Sequence, residues 1–539
     1  MNVKLRVAAI CLALLALAGL VLLVVRPSLN PAHIRPLPLI ALAWMAFLTA
    51  AWLLRKVPLR TSVVLILLGG IAIQIAAVSA PPRQSDDLYR YIWDGRVQAA
   101  GIDPYAYVPA ARPLDGLRDE FLWHPGADHC LSPSYVSKHP AADLVAGCTL
   151  INRPSVPTIY PPVAEAYFLA MHYEPAGDSS TTPIQATTAL VAVLTTALLL
   201  FGLGRLGRDV RMAALWSWCP TVALEAGNNA HVDVVAVGIA AAALLVLATA
   251  RGRTGRTVLG GVLMGLAIAT KVTPALTLPA VLARGDDPPR PPREGIRRRW
   301  MTVLLATGSA FVAVYIPHVL AVGTKVIGFL PGYLQQEGYE NGTRFGIIGL
   351  VLTGKLALAM AVLILAAVAF AVVQFSDPDR PWQGAMLMTA AALAVTTPRY
   401  QWYALLLVML VALDGRPEWL AFAAGAYYAA EPGLGRYTIP NRLHDAVAYG
   451  VPVAVVAVGW VVREFVRRRD VGVEPVPVPV PVPVPAPAGS AVAAGAPVTA
   501  MVAVTASSAF ASPITVTAPV AVPVAGPPWE PVAADEVRV

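Results

Sequence analysis

The chain has 539 residues, of which 57% are apolar and only 13% are charged, and its mean hydropathy is +0.63. Soluble domains usually carry about 25% charged residues, so this composition excludes a soluble globule and indicates an all-α integral membrane protein. The formal charge of +8 comes from short basic clusters beside apolar runs. That arrangement follows the positive-inside rule, and we expect no nucleic-acid partner.

Three apolar segments open the chain, at residues 8–25, 38–54 and 61–80, and each is long enough to cross a bilayer as a helix. Lys4 and Arg6 precede the first segment and predict a cytoplasmic N-terminus. This segment resembles a signal peptide, but its apolar run is long and Arg26 follows it where a small-residue cleavage site would stand. We therefore assign residues 1–80 to N-terminal transmembrane helices.

Residues 81–182 are predicted to form a large extracytoplasmic loop that carries the chemistry. The loop opens with an acidic and aromatic stretch, Ser85-Asp86-Asp87-Leu88-Tyr89-Arg90-Tyr91-Ile92-Trp93-Asp94-Gly95. In a helix, Asp87, Tyr91 and Asp94 share one face. A carboxylate there can accept a proton from a hydroxyl or hold a divalent cation. The alternative is an exposed helix start with its acids near the positive end and Arg90 as their partner.

The rest of this loop contains Tyr105 and Tyr160 among prolines, and such aromatic groups suit either sugar stacking or the membrane interface. The loop histidines His124, His129 and His139 show no ligand spacing typical of a metal site. Cys130 and Cys148 lie in a compartment that permits a disulfide, and the sequence leaves that bridge open.

Residues 183–469 form the main transmembrane bundle in this interpretation. Counting apolar segments between basic clusters gives about 12–14 spans with both termini cytoplasmic. Seven ionisable residues then lie on the outer side of the membrane: Asp86, Asp87, His231, Asp233, Lys271, Arg344 and Arg399. An acid could activate a nucleophile while the cations hold a phosphate. Interfacial snorkelling is the better explanation for each cation when it is taken alone.

The remaining residues, 470–539, begin with alternating proline and valine and continue in alanine, valine, threonine and proline. Proline at every second position removes backbone donors and enforces extended conformations. We predict a disordered cytoplasmic tail without a catalytic role.

Several short motifs resemble the GT-C superfamily of membrane glycosyltransferases, and most closely glycosyltransferase family 87 with the actinobacterial polyprenol-phosphate-mannose-dependent mannosyltransferases. The resemblance covers roughly residues 60–450. It depends on Asp86 to Tyr91, Gly101 with Pro104-Tyr105, Tyr160-Pro161-Pro162, His231 with Asp233, and Lys271-Val272-Thr273-Pro274. Relatives often have His-Asn-Asp where this chain has His231-Val232-Asp233, which leaves the role of His231 open.

The resemblance implies a GT-C-like bundle, a lipid-phosphate sugar donor and inversion at the anomeric carbon. It also implies a general base in the first loop. Asp87 matches that position best because Tyr91 follows it by four residues, and Asp86 is the second candidate. The expected function is transfer of a sugar, mannose by resemblance, from a polyprenyl phosphate to an extracytoplasmic lipid or glycan acceptor. The expected substrate-binding residues are Arg90, Tyr91, Asp94, Tyr105, Tyr160, His231, Asp233, Lys271, Arg344 and Arg399.

Two other functions compete with transfer. A transporter or flippase of polyprenyl-linked sugars would show internal repeats and ionisable residues near the membrane midplane, whereas here the polar groups collect at one face. A scaffold that recruits partners through its tail would leave the outer carboxylates unexplained. The sequence indicates no certain cofactor. It leaves a divalent cation open, because two aspartates can act as base or as ligands.

Overall fold

A computed structural model of the chain describes residues 2–30, 34–123, 149–250, 253–284, 293–430 and 441–471. These residues form helices joined by loops, with no extended strand among them. The helices of seven residues or more are α1 Val3–Val25, α2 Pro36–Leu54, α3 Leu59–Val78, α4 Asp87–Ala99, α5 Pro162–His172, α6 Thr182–Arg205, α7 Asp233–Ala248, α8 Thr254–Thr270, α9 Arg293–Val322, α10 Leu330–Gln336, α11 Gly354–Phe375, α12 Pro381–Thr396, α13 Leu405–Asp414, α14 Ala421–Ala430 and α15 Asn441–Val471. The all-α membrane class predicted from composition is confirmed.

Seven helical segments in the described ranges are long and apolar enough to cross a membrane. They correspond to α1, α2, α3, α6, α9 with its extension through α10, α11 and α15. The apolar segments 233–248, 254–270 and 401–414 are helical but shorter. The predicted count of 12–14 spans is larger than this number of long helices. The prediction counted every apolar segment, and some of these segments form two or more short helices instead of one long helix.

Proline explains two of these divisions. Pro220 begins a short helix that runs into the π-helix Ala223–Asn228, and Pro274 lies in the 3₁₀ turn Thr273–Thr277. Since proline lacks a backbone N–H and its ring collides with the preceding turn, it favours a kink or a break in an α-helix, and at these two places the helix breaks. After Arg256, α8 is followed by the 3₁₀ turn Thr273–Thr277 and the short helix Leu278–Val281, and Lys271 is the C-cap residue of α8.

The bundle has one large hydrophobic core, and a second core lies under the loop that follows α3. In this second core α4 packs against α5, with Tyr91 stacked on Phe168 at a ring-centroid distance of 4.3 Å. Gly95 permits this close approach, because a Cβ atom there would lie 2.4 Å from the Phe168 carbonyl oxygen. The buried face of α4 thus fixes the helix whose first residue is Asp87.

Two predicted features lie outside the described residues. The loop histidines His124, His129 and His139, with Cys130 and Cys148, fall between residues 124 and 148. The described residues end at Val471, the last residue of α15, so the predicted tail lies outside the described residues from residue 472 onward.

Candidate functional site

The π-helix Ala223–Asn228 anchors the segment that leads into the predicted carboxylate pair. The Asn228 side chain donates to three backbone carbonyls between residues 77 and 81, at 3.1–3.2 Å, and accepts from the Arg83 backbone N–H at 2.9 Å. Asn229 accepts from the Gln84 backbone N–H at 3.2 Å. The π-helix occurs mostly as single turns at functional sites, and here it fixes the chain immediately before Asp86.

Asp86 and Asp87 lie together at the N-terminus of α4. Asp86 is the N-cap residue and Asp87 the first helical residue, where the positive end of the helix favours negative charge. The Asn152 amide donates to Oδ1 of Asp86 at 2.9 Å and to Oδ1 of Asp87 at 2.6 Å. One neutral amide therefore holds two carboxylates close together and partly offsets their repulsion.

The pKa of Asp86 is raised above its ordinary value of 3.8. Burial is the largest cause, and the neighbouring Asp87 adds to it, whereas the hydrogen bond from Asn152 acts in the opposite direction. An acid with a raised folded-state pKa stabilises the fold at pH values below its unfolded pKa, and this stabilisation is lost as the pH rises through the folded-state pKa.

We therefore expect Asp86→Asn to raise the denaturation temperature at pH 7, and this effect to shrink as the pH falls through the raised folded-state pKa toward the ordinary value of 3.8. The side-chain oxygen of the introduced asparagine would still accept from Asn152. Thermal unfolding in detergent from pH 4 to pH 8 measures the effect. Asp115→Asn, at an exposed carboxylate of the same loop, is the control, and equal curves for wild type and Asp86→Asn would contradict the expectation.

His231 connects the base candidate Asp87 with a second, fully buried carboxylate. Its Nδ1 lies 3.8 Å from Oδ2 of Asp87, and its Nε2 lies 3.4 Å from Oε2 of Glu225. The imidazole stacks on Trp402 at a ring-centroid distance of 3.9 Å. Burial lowers the pKa of His231 to about 3, so the ring is neutral at pH 7.

Glu225 is a site residue that our sequence analysis missed. Its carboxylate accepts from Asn229 at 3.0 Å and from the Tyr427 hydroxyl at 2.7 Å, and its side chain is fully buried. The available signal was a single acid within an apolar segment, and such residues are functional candidates by default.

Lys271 and Asp233 form a buried ion pair beside Asp87. Lys271 Nζ lies 3.2 Å from Oδ2 of Asp233 and 5.1 Å from the ring centroid of Tyr160. Burial alone would lower the pKa of Lys271, but the carboxylates of Asp233 and Asp87 outweigh burial and raise it. Lys271 is therefore a cation in this site.

Three predicted binding residues lie on α4, after the carboxylate pair, and their side chains are buried. Arg90 and Asp94 form an ion pair at 2.9 Å, and both are almost fully buried. A further buried acid, Glu165 of α5, lies near this pair. Burial and the neighbouring Asp94 raise the pKa of Glu165 well above its ordinary value. Tyr91 is fully buried as well, so Arg90, Asp94 and Tyr91 lie on the buried part of α4 and fix that helix in the protein.

The two predicted loop tyrosines, Tyr105 and Tyr160, are in contact with each other beside α4. The Tyr105 hydroxyl donates to the Tyr160 backbone carbonyl at 2.6 Å, and the Tyr160 ring lies edge-on to Tyr91 at 5.0 Å. Both tyrosines are buried. Tyr160 also lies against Lys271, which places it nearer to the ionisable groups.

The two predicted arginines differ in their relation to the carboxylate pair. Arg344 is buried and forms an ion pair with Glu337. The Glu337 carboxylate also accepts a hydrogen bond from the Tyr400 hydroxyl at 3.1 Å. Arg399 is half exposed and pairs with Asp445 at 2.9 Å, so its described ion pair is with α15 and not with Asp86 or Asp87.

Backbone strain is concentrated around these residues. Four residues other than glycine have a positive φ in the described chain, and three of them are Arg153 (φ 48°), Ala230 (φ 51°) and Thr397 (φ 37°). Arg153 follows Asn152 and Ala230 precedes His231. Left-handed backbone at such residues costs on the order of 1–3 kcal/mol each and collects at functional sites.

Among the described residues, no group of three or more His, Cys, Asp or Glu side chains is arranged to hold a metal ion. The carboxylate pair has an amide, an imidazole and cations around it instead.

An α-helical membrane bundle with acids, an imidazole and cations gathered at the end of α3 defines a polytopic membrane protein with a buried polar site. Residues 158–398 match the family model Glycosyltransferase family 87. The resemblance to glycosyltransferase family 87 is therefore confirmed by the family model over this range. The match includes His231, Asp233, Lys271 and Arg344 but begins after Asp86 and Asp87.

Two solved structures are similar to this chain at low identity. One is the archaeal oligosaccharyltransferase AglB from Archaeoglobus fulgidus in complex with an inhibitory peptide and a dolichol-phosphate, with 12% identity, a TM-score of 0.35, and coverage of 74% of this chain and 55% of that one. The other is the Archaeoglobus fulgidus oligosaccharyltransferase tethered to an acceptor peptide, with 12% identity, a TM-score of 0.33, and coverage of 74% and 54%. The chain thus spans about half the length of these proteins. No curated protein matches the sequence significantly.

Proposed function

We propose that the protein is a membrane glycosyltransferase that moves a sugar, mannose by resemblance, from a polyprenyl-phosphate donor to a hydroxyl group of a lipid or glycan acceptor outside the cytoplasm. One observation carries the proposal. Asp87, from outside the family-87 segment, lies 3.8 Å from His231 of that segment, and Lys271 of the same segment is close enough for Asp87 to raise its pKa.

The reaction follows from the chemistry of these groups. Asp87 takes the proton of the acceptor hydroxyl as the oxygen attacks the anomeric carbon. The bond from that carbon to the phosphate oxygen breaks on the opposite face, and the lipid phosphate leaves with the bonding electron pair. Attack opposite the leaving group inverts the anomeric centre, and nearby cations stabilise the charge that develops on the phosphate.

His231 has a positioning role in this proposal. The Glu225 carboxylate, 3.4 Å from Nε2, favours the neutral tautomer that carries its proton on Nε2, which leaves the Nδ1 lone pair on the side of Asp87. When Asp87 becomes protonated during the reaction, its new O–H can donate to Nδ1. This contact forms only as the proton is transferred, so it stabilises the transition state more than the ground state.

The test is sugar transfer by the purified full-length protein in detergent. Radiolabelled polyprenyl-phosphate-mannose is supplied with a membrane lipid extract, and polyprenyl phosphates carrying glucose, galactose or arabinose are tested in parallel. We expect label to appear in acceptor lipid or glycan, with mannose transferred fastest. If no donor gives transfer and the protein instead moves such lipids across proteoliposome membranes, the enzyme proposal is wrong and the transporter function replaces it.

A further inference from the structure

Four of the cations predicted to bind substrate are already neutralised by carboxylates. Lys271 pairs with Asp233, Arg90 with Asp94, Arg344 with Glu337 and Arg399 with Asp445. A cation in such a pair contributes little net charge. An incoming anion must share the cation with the carboxylate or displace it, and a buried carboxylate left without its partner is costly.

Arg153 is different from these four. Its side chain is half-buried, and in the described part of the chain it forms no ion pair with a carboxylate. Its guanidinium lies 6.0 Å from the ring centroid of Tyr333 and beside the Tyr400 hydroxyl. A guanidinium has five N–H donors, and two tyrosines engage few of them, so this cation retains donors and a net positive charge.

The backbone explains why Arg153 lies there. Asn152 is held by its hydrogen bonds to Asp86 and Asp87, and the left-handed turn at Arg153 (φ 48°) directs its side chain toward Tyr333 and Tyr400. Burial would lower the pKa of Arg153, but Tyr400 and Asp87 outweigh burial and raise it. Arg153 is thus close enough to Asp87 for the two charges to interact.

We infer that Arg153 binds the phosphate group of the lipid-linked donor, an assignment that rests on the proposed function. The ligand chemistry is a phosphate monoester or diester anion on an isoprenoid chain. A planar guanidinium binds two phosphate oxygens at once. Bound there, the phosphate lies near Asp87 without displacing any existing ion pair, so the leaving group and the base are brought to the same site.

The experiment measures binding, so it does not depend on sugar transfer. Binding of farnesyl phosphate and of uncharged farnesol to the full-length protein in detergent is followed by tryptophan fluorescence. Inorganic phosphate is tested as a competitor, which separates a lipid phosphate from the free anion. The variants are Arg153→Asn and Arg153→Lys. Asparagine tolerates left-handed backbone, so Arg153→Asn removes the charge without added strain.

We expect wild type to prefer farnesyl phosphate over farnesol, and Arg153→Asn to lose that preference by about ten- to hundredfold, the range for hydrogen bonds to charged groups. Arg153→Lys keeps the positive charge but loses the planar pair of donors, so it should retain only part of the preference. The control Arg83→Gln removes an exposed arginine just before the carboxylate pair and should bind as wild type does.

The other outcomes separate the parts of this assignment. If Arg153→Asn binds farnesyl phosphate as tightly as wild type, the assignment is wrong even when the protein transfers sugar. If Arg153→Asn loses farnesol binding equally, its role is structural and the assignment is also wrong. Equal binding of inorganic phosphate and farnesyl phosphate to wild type would overturn the lipid part. Arg153-dependent binding of farnesyl phosphate without sugar transfer would support the assignment and refute only the proposed function.

Discussion

Replacing Asp87 by asparagine should reduce sugar transfer by about a hundredfold to ten-thousandfold, the usual contribution of a general base. Asparagine has nearly the same shape and its oxygen can still accept from Asn152, but it cannot take the acceptor proton. Initial rates of transfer measure the effect, with the protein shown to be folded by its elution profile and denaturation temperature.

Two matched variants make this result specific. Asp86→Asn removes the other carboxylate held by Asn152 and should retain transfer within about tenfold of wild type. Asp115→Asn changes an exposed aspartate in the same loop and should have no effect. If Asp86→Asn abolishes transfer while Asp87→Asn does not, the base is Asp86, and if neither matters, the carboxylate pair has no catalytic role.

The second large effect concerns stability. Lys271→Met should lower the free energy of unfolding by about 3–5 kcal/mol, because it leaves the buried Asp233 carboxylate, 2% exposed, without its partner. Denaturant titration in mild detergent measures it. Asp233→Asn should cost less, because the Lys271 side chain is 18% exposed and its flexible stem can move the ammonium toward water.

The double variant Lys271→Met with Asp233→Asn separates stability from function. It removes both charges and should regain most of the lost stability. If it is stable but transfers no sugar, the Lys271 ammonium serves the reaction as well as the fold. If transfer also returns, Lys271 is structural only. An unchanged unfolding free energy in Lys271→Met alone would contradict the importance of the ion pair.

Sequence patterns predicted the parts of this protein that depend on local composition. Apolar runs indicated helices at α1, α2 and α3 because length and hydropathy decide whether a segment can cross a bilayer. The spacing of Asp87, Tyr91 and Asp94 indicated that they share one face of α4, since helical periodicity is a local property. The order of short motifs was enough to indicate glycosyltransferase family 87.

Partner choice could not be predicted, because it depends on residues far apart in the chain. In the sequence, Arg344 and Arg399 are cations at predicted outer helix ends, as Lys271 is. Only the fold shows that Arg344 forms an ion pair with Glu337 and Arg399 with Asp445. Asn152 lies 65 residues after Asp87, to which it donates, and an isolated asparagine in a loop carries no signal of that contact.

The sequence by itself determined that this is a helical membrane protein that resembles glycosyltransferase family 87, because hydropathy, periodicity and motif order are properties of neighbouring residues. Only the tertiary structure decided which of its charges are neutralised and which remain available. Only the tertiary structure places Glu225 beside His231, and Arg153 beside Tyr400 and close to Asp87. A charged side chain is neutralised only by a partner a few ångströms away, and the packing of the helices sets the distance between residues that are far apart in the sequence.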